Sequence, residues 1–113
     1  MKNYDLEERT KEFSYKILAL CKNLPFNNIN KRLVDQLIRS ATSIGANYRE
    51  ANETDTKKDF KNKIRIAKKE ARETIYWIEL IKNTNQEFST SINNLLDESR
   101  QLMKILTSIY LKS

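Results

Sequence analysis

The 113-residue sequence contains no histidine, and it has one glycine, one proline and one cysteine. Without histidine the chain cannot build a Ser-His-Asp or Cys-His arrangement or the Glu-x-x-His metal sites of ferritin-like bundles. One glycine does not supply a phosphate-cradling loop, and the lone thiol of Cys21 forms neither an internal disulfide nor a thiolate zinc site. We therefore expect no catalytic residues, no metal and no cofactor.

Long apolar runs are also absent, because Lys, Arg, Glu or Asn interrupts each apolar segment within about a turn. A membrane span needs roughly 18 to 20 continuous apolar residues, so we expect no membrane partner. The N-terminus lacks the charged and apolar regions of a secretory signal, and the cysteine has no partner. These features predict a cytoplasmic protein.

The abundant residues, among them Leu, Ile, Lys, Glu and Ala, favour helix. Apolar residues recur at spacings of three and four in four segments, which is the helical period. The predicted helices cover about 5–24, 31–51, 56–83 and 88–111. Short connections make successive helices antiparallel neighbours. The sequence thus predicts one all-α domain over residues 1–113, an antiparallel up-down-up-down four-helix bundle.

Local signals place some helix ends and the inward face of the first helix. Asp5 is the expected N-cap of the first helix, and Pro25 disfavours helical geometry at the residue before it. Thr56 with Asp59 resembles a capping box at the start of the third helix. The residues of the first helix that we expect to face the core are Leu6, Thr10, Phe13, Ile17, Leu20 and Leu24.

Polar residues lie on the inward track of the second helix. Ser40 and Asn47 follow the same three-and-four spacing as the apolar residues, with Ser43 beside them, and Gly45 indicates a close backbone approach. A buried hydroxyl or amide without a partner costs roughly 1 to 3 kcal/mol. These residues either bond to their own helix and fix its register, which we favour, or form a polar pocket or subunit contact.

The excess positive charge is confined to residues 57–72, which hold eight basic and two acidic residues, whereas the other 13 basic and 13 acidic residues cancel. Five of these side chains recur every three or four residues and are called the stripe below: Lys57, Lys61, Arg65, Lys68 and Arg72. A helical charge run is often only a solvated face. The alternative is contact with phosphates of RNA or DNA, with little sequence specificity.

Two further features of the third helix have competing interpretations. Apolar side chains at Tyr76, Trp77 and Leu80 surround more of the helix than one core requires, which favours self-association over isolated exposed aromatics. Glu70 and Glu73 resemble a carboxylate pair for acid/base chemistry, but ion pairs with nearby bases such as Arg39 are the better explanation.

The run from residue 37 to residue 81 is LIRSATSIGANYREANETDTKKDFKNKIRIAKKEARETIYWIELI. It resembles the bacterial 23S rRNA intervening-sequence proteins, a four-helix bundle family. The shared elements include residues 43–47 (SIGAN), 69–71 (KEA) and Tyr76-Trp77, while the first and last helices match only in length and pattern.

The resemblance implies a homopentamer, since members assemble as five-subunit rings. A related branch consists of accessory proteins to the reverse transcriptase of diversity-generating retroelements, with basic surfaces that contact nucleic acid. The family name reflects where some of the genes lie and does not establish a biochemical role, and the family supplies no catalytic or ligand residue.

Two functional hypotheses follow. In the first, an oligomer arrays several copies of the stripe and binds RNA or DNA by avidity. In the second, the bundle is a scaffold or accessory subunit for a protein such as a polymerase, and nucleic acid is incidental. An enzyme would be expected to carry a bound metal or cofactor.

Overall fold

A computed structural model describes residues 3–113, with side chains described from residue 5 onward. The helices are α1 (Asn3–Asn23), α2 (Asn28–Asn52), α3 (Lys57–Thr84) and α4 (Ser89–Lys112), with a 3-10 turn at Gln86–Phe88 before α4. This stretch contains no strand, so the all-α prediction is confirmed.

The four helices form an elongated bundle of 45 × 23 × 19 Å. Each helix packs on its sequence neighbour, and α4 closes the bundle against α1. Within residues 3–113, the diagonal pairs α1/α3 and α2/α4 have no Cα atoms within 8 Å of each other. This pattern confirms the up-down-up-down arrangement, and it places α3 between α2 and α4.

Capping residues explain where the helices begin. Thr56 accepts a hydrogen bond from the Asp59 backbone N–H at 3.0 Å, as the sequence predicted. Helix α2 begins three residues earlier than predicted because the Asn27 side chain caps it, accepting from Asn30 N–H at 2.8 Å. Asp5 is not the N-cap that we expected, since it lies within the first turn of α1, where a carboxylate still suits the positive end of the helix dipole.

All six core residues predicted for the first helix are buried, with at most 8% of each residue exposed, although α1 ends at Asn23, one residue before Leu24. They pack with the apolar faces of the other helices, and complete burial of each Leu, Ile or Phe contributes roughly 1.5 to 3 kcal/mol. On α2 the buried track continues from Ile44 to Tyr48 and Ala51. Asn47 is therefore only half-buried, because a helix of 3.6 residues per turn rotates the track by one position over this length.

A buried pair of asparagines joins the first turn of α2 to the connection between α3 and α4. Asn30 Nδ2 donates to Asn85 Oδ1 at 2.9 Å, and Asn85 Nδ2 donates to Asn30 Oδ1 at the same distance. Asn30 also donates to the Pro25 carbonyl, and Asn85 to the Ile81 carbonyl. The predicted helix bounds left both residues outside the helices. Their hydrogen bonds to each other were not predicted, because the two residues are 55 positions apart in the sequence.

Candidate nucleic-acid interface

The stripe runs along the side of α3 that faces α4. Lys57, Arg65 and Arg72 are exposed, and Lys61 and Lys68 are half-buried. At 1.5 Å per residue the stripe extends over about 22 Å. The helix therefore presents five cations in one line rather than around its circumference.

Tyr110 of α4 makes cation–π contacts with two of these cations. The Nζ atoms of Lys61 and Lys68 each lie 4.7 Å from the centre of the Tyr110 ring. Such cation–π contacts contribute about 0.5 to 1 kcal/mol at exposed sites. They hold the two ammonium groups at the α3/α4 edge without neutralising them, because the ring carries no net charge.

No stripe residue forms an ion pair with a described side chain. The ion pairs of α3 toward α2 use other residues: Lys63 contacts Glu50 at 2.7 Å, and Arg39 of α2 contacts Glu70 at 3.3 Å and Glu73 at 2.6 Å. The hydrogen bond to Glu73 also raises the pKa of the Arg39 guanidinium. Helix α3 thus has a neutralised flank toward α2, which includes Lys63, Glu70 and Glu73, whereas the stripe cations make no ion pair.

The Arg39 contacts account for the carboxylate pair considered above. Glu70 is only 8% exposed, and a buried carboxylate needs a partner of this kind. Arg39 is shared between the two carboxylates, so both are engaged in ion pairs. This geometry supports a structural explanation of the pair.

An apolar pocket of about 380 Å³ lies at the start of the stripe, between the first turn of α3 and the last turn of α4. Its lining residues are Lys57, Phe60, Ile109, Lys112 and Ser113. Nothing in the sequence predicted this pocket, because helical spacing carries no signal for the meeting of these two helix ends. Phe60 is half-buried and forms part of the wall.

The aromatic cluster lies beyond the other end of the stripe. Tyr76 is 55% exposed and packs edge-on against Trp77, with ring centres 5.1 Å apart. Trp77 and Leu80 are half-buried, and the indole N–H of Trp77 is buried without an acceptor among the described residues. The cluster therefore combines an exposed ring with an unused donor.

The polar residues of α2 bond to helix backbones. Ser40 is fully buried, donates to the Leu37 carbonyl at 3.3 Å and lies 2.9 Å from the Thr74 hydroxyl of α3. Ser43 and Asn47 are half-buried and donate to carbonyls one turn earlier, at 2.7 and 2.8 Å. These bonds satisfy the groups inside the bundle, which supports the helix-register interpretation.

Gly45 lies at a close contact between α1 and α2. A Cβ atom at this position would lie 2.9 Å from Thr10 Oγ1, closer than ordinary contacts allow. Thr10 is buried and donates its hydroxyl to the Glu7 carbonyl, so it cannot simply rotate away into solvent. The missing side chain of the glycine lets the two backbones meet.

Two further properties bear on chemistry. Burial raises the pKa of the Cys21 thiol to about 11, so the thiol is protonated near neutral pH. Across the part of the chain that the structure describes, no group of three His, Cys, Asp or Glu residues is arranged to hold a metal ion. In the same part, each helix is too short or too polar to cross a bilayer.

Taken together, these features define a small four-helix-bundle protein. A model of the 23S rRNA-intervening sequence protein family matches residues 2–108. The chain belongs to this family, which confirms the resemblance drawn from residues 37–81 and extends it to the first and last helices.

A solved structure shows the same fold. It is the crystal structure of a protein with unknown function from the S23 ribosomal protein family of Bacteroides thetaiotaomicron VPI-5482. The two chains are 38% identical and align with a TM-score of 0.86, over 97% of this chain and 98% of that one. No curated protein matches the chain.

Proposed function

We propose that this protein is a non-enzymatic, oligomeric bundle that associates with the phosphate backbone of RNA or DNA through the stripe on α3. The observation that carries the proposal is the alignment of five cations along the side of α3 that faces α4, none of which forms an ion pair with a described side chain. Unpaired cations in a line attract a polyanion, and the release of its counterions drives binding.

The neutralised flank of α3 strengthens this argument. A helix that only needed solubility would intersperse acidic and basic groups on all exposed sides. Here the acidic partners Glu50, Glu70 and Glu73 serve cations on the α2 side. The α4 side keeps its charge, which raises the local concentration of anionic ligands.

Oligomerisation is the second part of the proposal. Tyr76, Trp77 and Leu80 would lie at a contact between copies, where the exposed Tyr76 ring is covered. The family resemblance implies a five-subunit ring. A ring arrays five stripes on one particle, and several weak phosphate contacts then act together.

A protein-interaction scaffold is the competing function. Phe26 is 91% exposed and Ile29 is 60% exposed at the α1–α2 connection, so two apolar side chains stand in solvent at that end of the bundle. Exposed apolar groups of this kind favour a protein contact. A partner protein, for example a reverse transcriptase, that copurifies after nuclease treatment would support this alternative.

The experiment that tests the proposal compares two triple variants with equal loss of charge. The stripe variant carries Lys61→Gln, Arg65→Gln and Lys68→Gln, and the control carries Lys16→Gln, Lys22→Gln and Lys31→Gln, which are exposed on α1 and α2. Affinity for RNA and DNA oligonucleotides is measured against salt concentration.

Each phosphate contact contributes about −0.7 to −0.9 to the slope of log affinity against log salt. We expect the stripe variant to lose about two units of slope and the control to keep the wild-type slope. Equal slopes for the two variants would refute the proposal, because the stripe cations would then contribute no more than cations elsewhere on the protein.

A further inference from the structure

The pocket at the start of the stripe has a composition that the stripe alone does not explain. Its volume of about 380 Å³ lies in the range of small-molecule sites, roughly 300 to 1,000 Å³. The wall is mainly apolar and includes Phe60 and Ile109, while Lys57 and Lys112 supply positive charge. The pocket is thus suited to a flat apolar group that carries a nearby negative charge.

The pocket and the stripe share a residue, which fixes their relative position. Lys57 is the first cation of the stripe and also part of the pocket lining. Lys61 follows one turn later, about 6 Å along the helix axis. A chain of phosphates that follows the stripe toward the start of α3 therefore reaches the pocket.

An aromatic ring also lies beside the next cations. Tyr110 follows Ile109 of the pocket wall in sequence, and Lys61 and Lys68 contact its ring. Basic grooves interleaved with aromatic side chains are typical of proteins that bind single strands, because each base can stack on a ring while its phosphate meets a cation. In a duplex the bases are stacked and paired, and extruding one costs a few kcal/mol.

We propose that the stripe binds a single-stranded nucleic acid in preference to a duplex, and that the pocket over Phe60 receives one unpaired base. This inference rests on the proposed function, since it names the class of nucleic acid that the same surface takes. The occupant is recognised by its two parts: the base stacks against Phe60, and the adjoining phosphate contacts Lys57 or Lys112.

The experiment measures the binding of labelled 12-nucleotide probes by fluorescence anisotropy at several salt concentrations, and the probes are compared at one of them. The probes are single-stranded oligothymidylate, single-stranded oligouridylate, a DNA duplex of the same length, and an oligothymidylate in which the central nucleotides are abasic. The DNA and RNA arms show which backbone is preferred. The abasic probe keeps its phosphates but lacks the bases that would stack.

We expect the wild type to bind single strands at least about tenfold more tightly than the duplex, and to lose at least about fivefold with the abasic probe, since one stacked base contributes about 1 to 3 kcal/mol. Phe60→Leu keeps the wall apolar but removes the ring. It should weaken single-strand binding at least about fivefold without changing the salt slope, and it should abolish the abasic effect.

Phe88→Leu is the matched control, because Phe88 is also half-buried but lies in the α1/α4 groove at the opposite end of the bundle. It should bind as the wild type does. The comparison of abasic and intact probes on the wild type requires no variant, so the inference stays testable if Phe60→Leu fails to fold.

The inference is overturned, with the proposed function intact, if the salt slope depends on the stripe but single strands, duplex and abasic probes bind equally. It is also overturned if Phe60→Leu changes the mass measured by light scattering and not the affinity, because the pocket would then be a contact between copies. Absence of binding to all four probes overturns both.

Discussion

Replacement of Asn85 by alanine tests how much the buried asparagine pair at one end of the bundle stabilises the fold. The substitution leaves the Asn30 amide, which is 3% exposed, without the two bonds of 2.9 Å that it shares with Asn85. It also removes the donor to the Ile81 carbonyl. Because each buried group left without a partner costs roughly 1 to 3 kcal/mol, and some groups will recover water, we expect a loss of about 2 to 4 kcal/mol.

Urea unfolding followed by circular dichroism measures this loss at a fixed protein concentration. With a denaturant dependence of about 2 kcal/mol/M for a domain of this size, the midpoint should fall by about 1 to 2 M. Asn83→Ala is the control, since Asn83 is exposed two residues earlier, and it should change stability by less than about 0.5 kcal/mol.

The reasoning also predicts coupling between the two asparagines. If Asn30→Ala already breaks the pair, Asn85→Ala in that background should cost at least about 1 kcal/mol less than it does alone. Additive effects, or an Asn85→Ala variant as stable as Asn83→Ala, would refute a stabilising interaction between the two asparagines.

Three other predictions concern the helix contact, the thiol and the assembly. Gly45→Ala should destabilise the bundle by about 1 to 3 kcal/mol in thermal unfolding, since the new Cβ would lie 2.9 Å from Thr10 Oγ1, and Thr10→Ala should relieve part of the loss. Cys21, whose pKa burial raises to about 11, should react with a disulfide reagent at pH 8 about 100-fold more slowly in the folded than in the urea-unfolded protein, and equal rates would contradict this. Tyr76→Ala should lower the mass measured by light scattering, and a monomeric wild type at micromolar concentration would exclude the proposed oligomer.

Features that depend on neighbouring residues in the sequence were predicted well. The inward face of the first helix, from Leu6 to Leu24, follows from helical spacing. The Thr56 cap involves residues three positions apart, so it too could be inferred without a structure. The line of the stripe is likewise a consequence of helical period. Only the structure shows that Glu50, Glu70 and Glu73 form their ion pairs on the α2 side of α3 and not with the stripe.

Features that depend on distant residues were missed. The Asn30–Asn85 pair spans 55 positions, and asparagines near helix ends are more often caps or turn residues than buried partners. The Phe60 pocket forms because the start of α3 lies beside the end of α4. The hydrogen bond between Thr74 and Ser40 depends on how α2 and α3 are aligned along their axes. The burial of Asn47 was predicted to be greater than it is, because spacings of three and four residues do not match the 3.6 residues per turn of an α-helix over several turns.

Chemical protection of lysines tests whether nucleic acid binds along the stripe. The protein is acetylated with and without a bound single-stranded oligonucleotide, and the modification of each lysine is quantified by mass spectrometry. We expect protection at Lys57, Lys61 and Lys68 and unchanged modification at Lys16 and Lys22. Equal protection at all five, or protection only on α1, would contradict binding along the stripe.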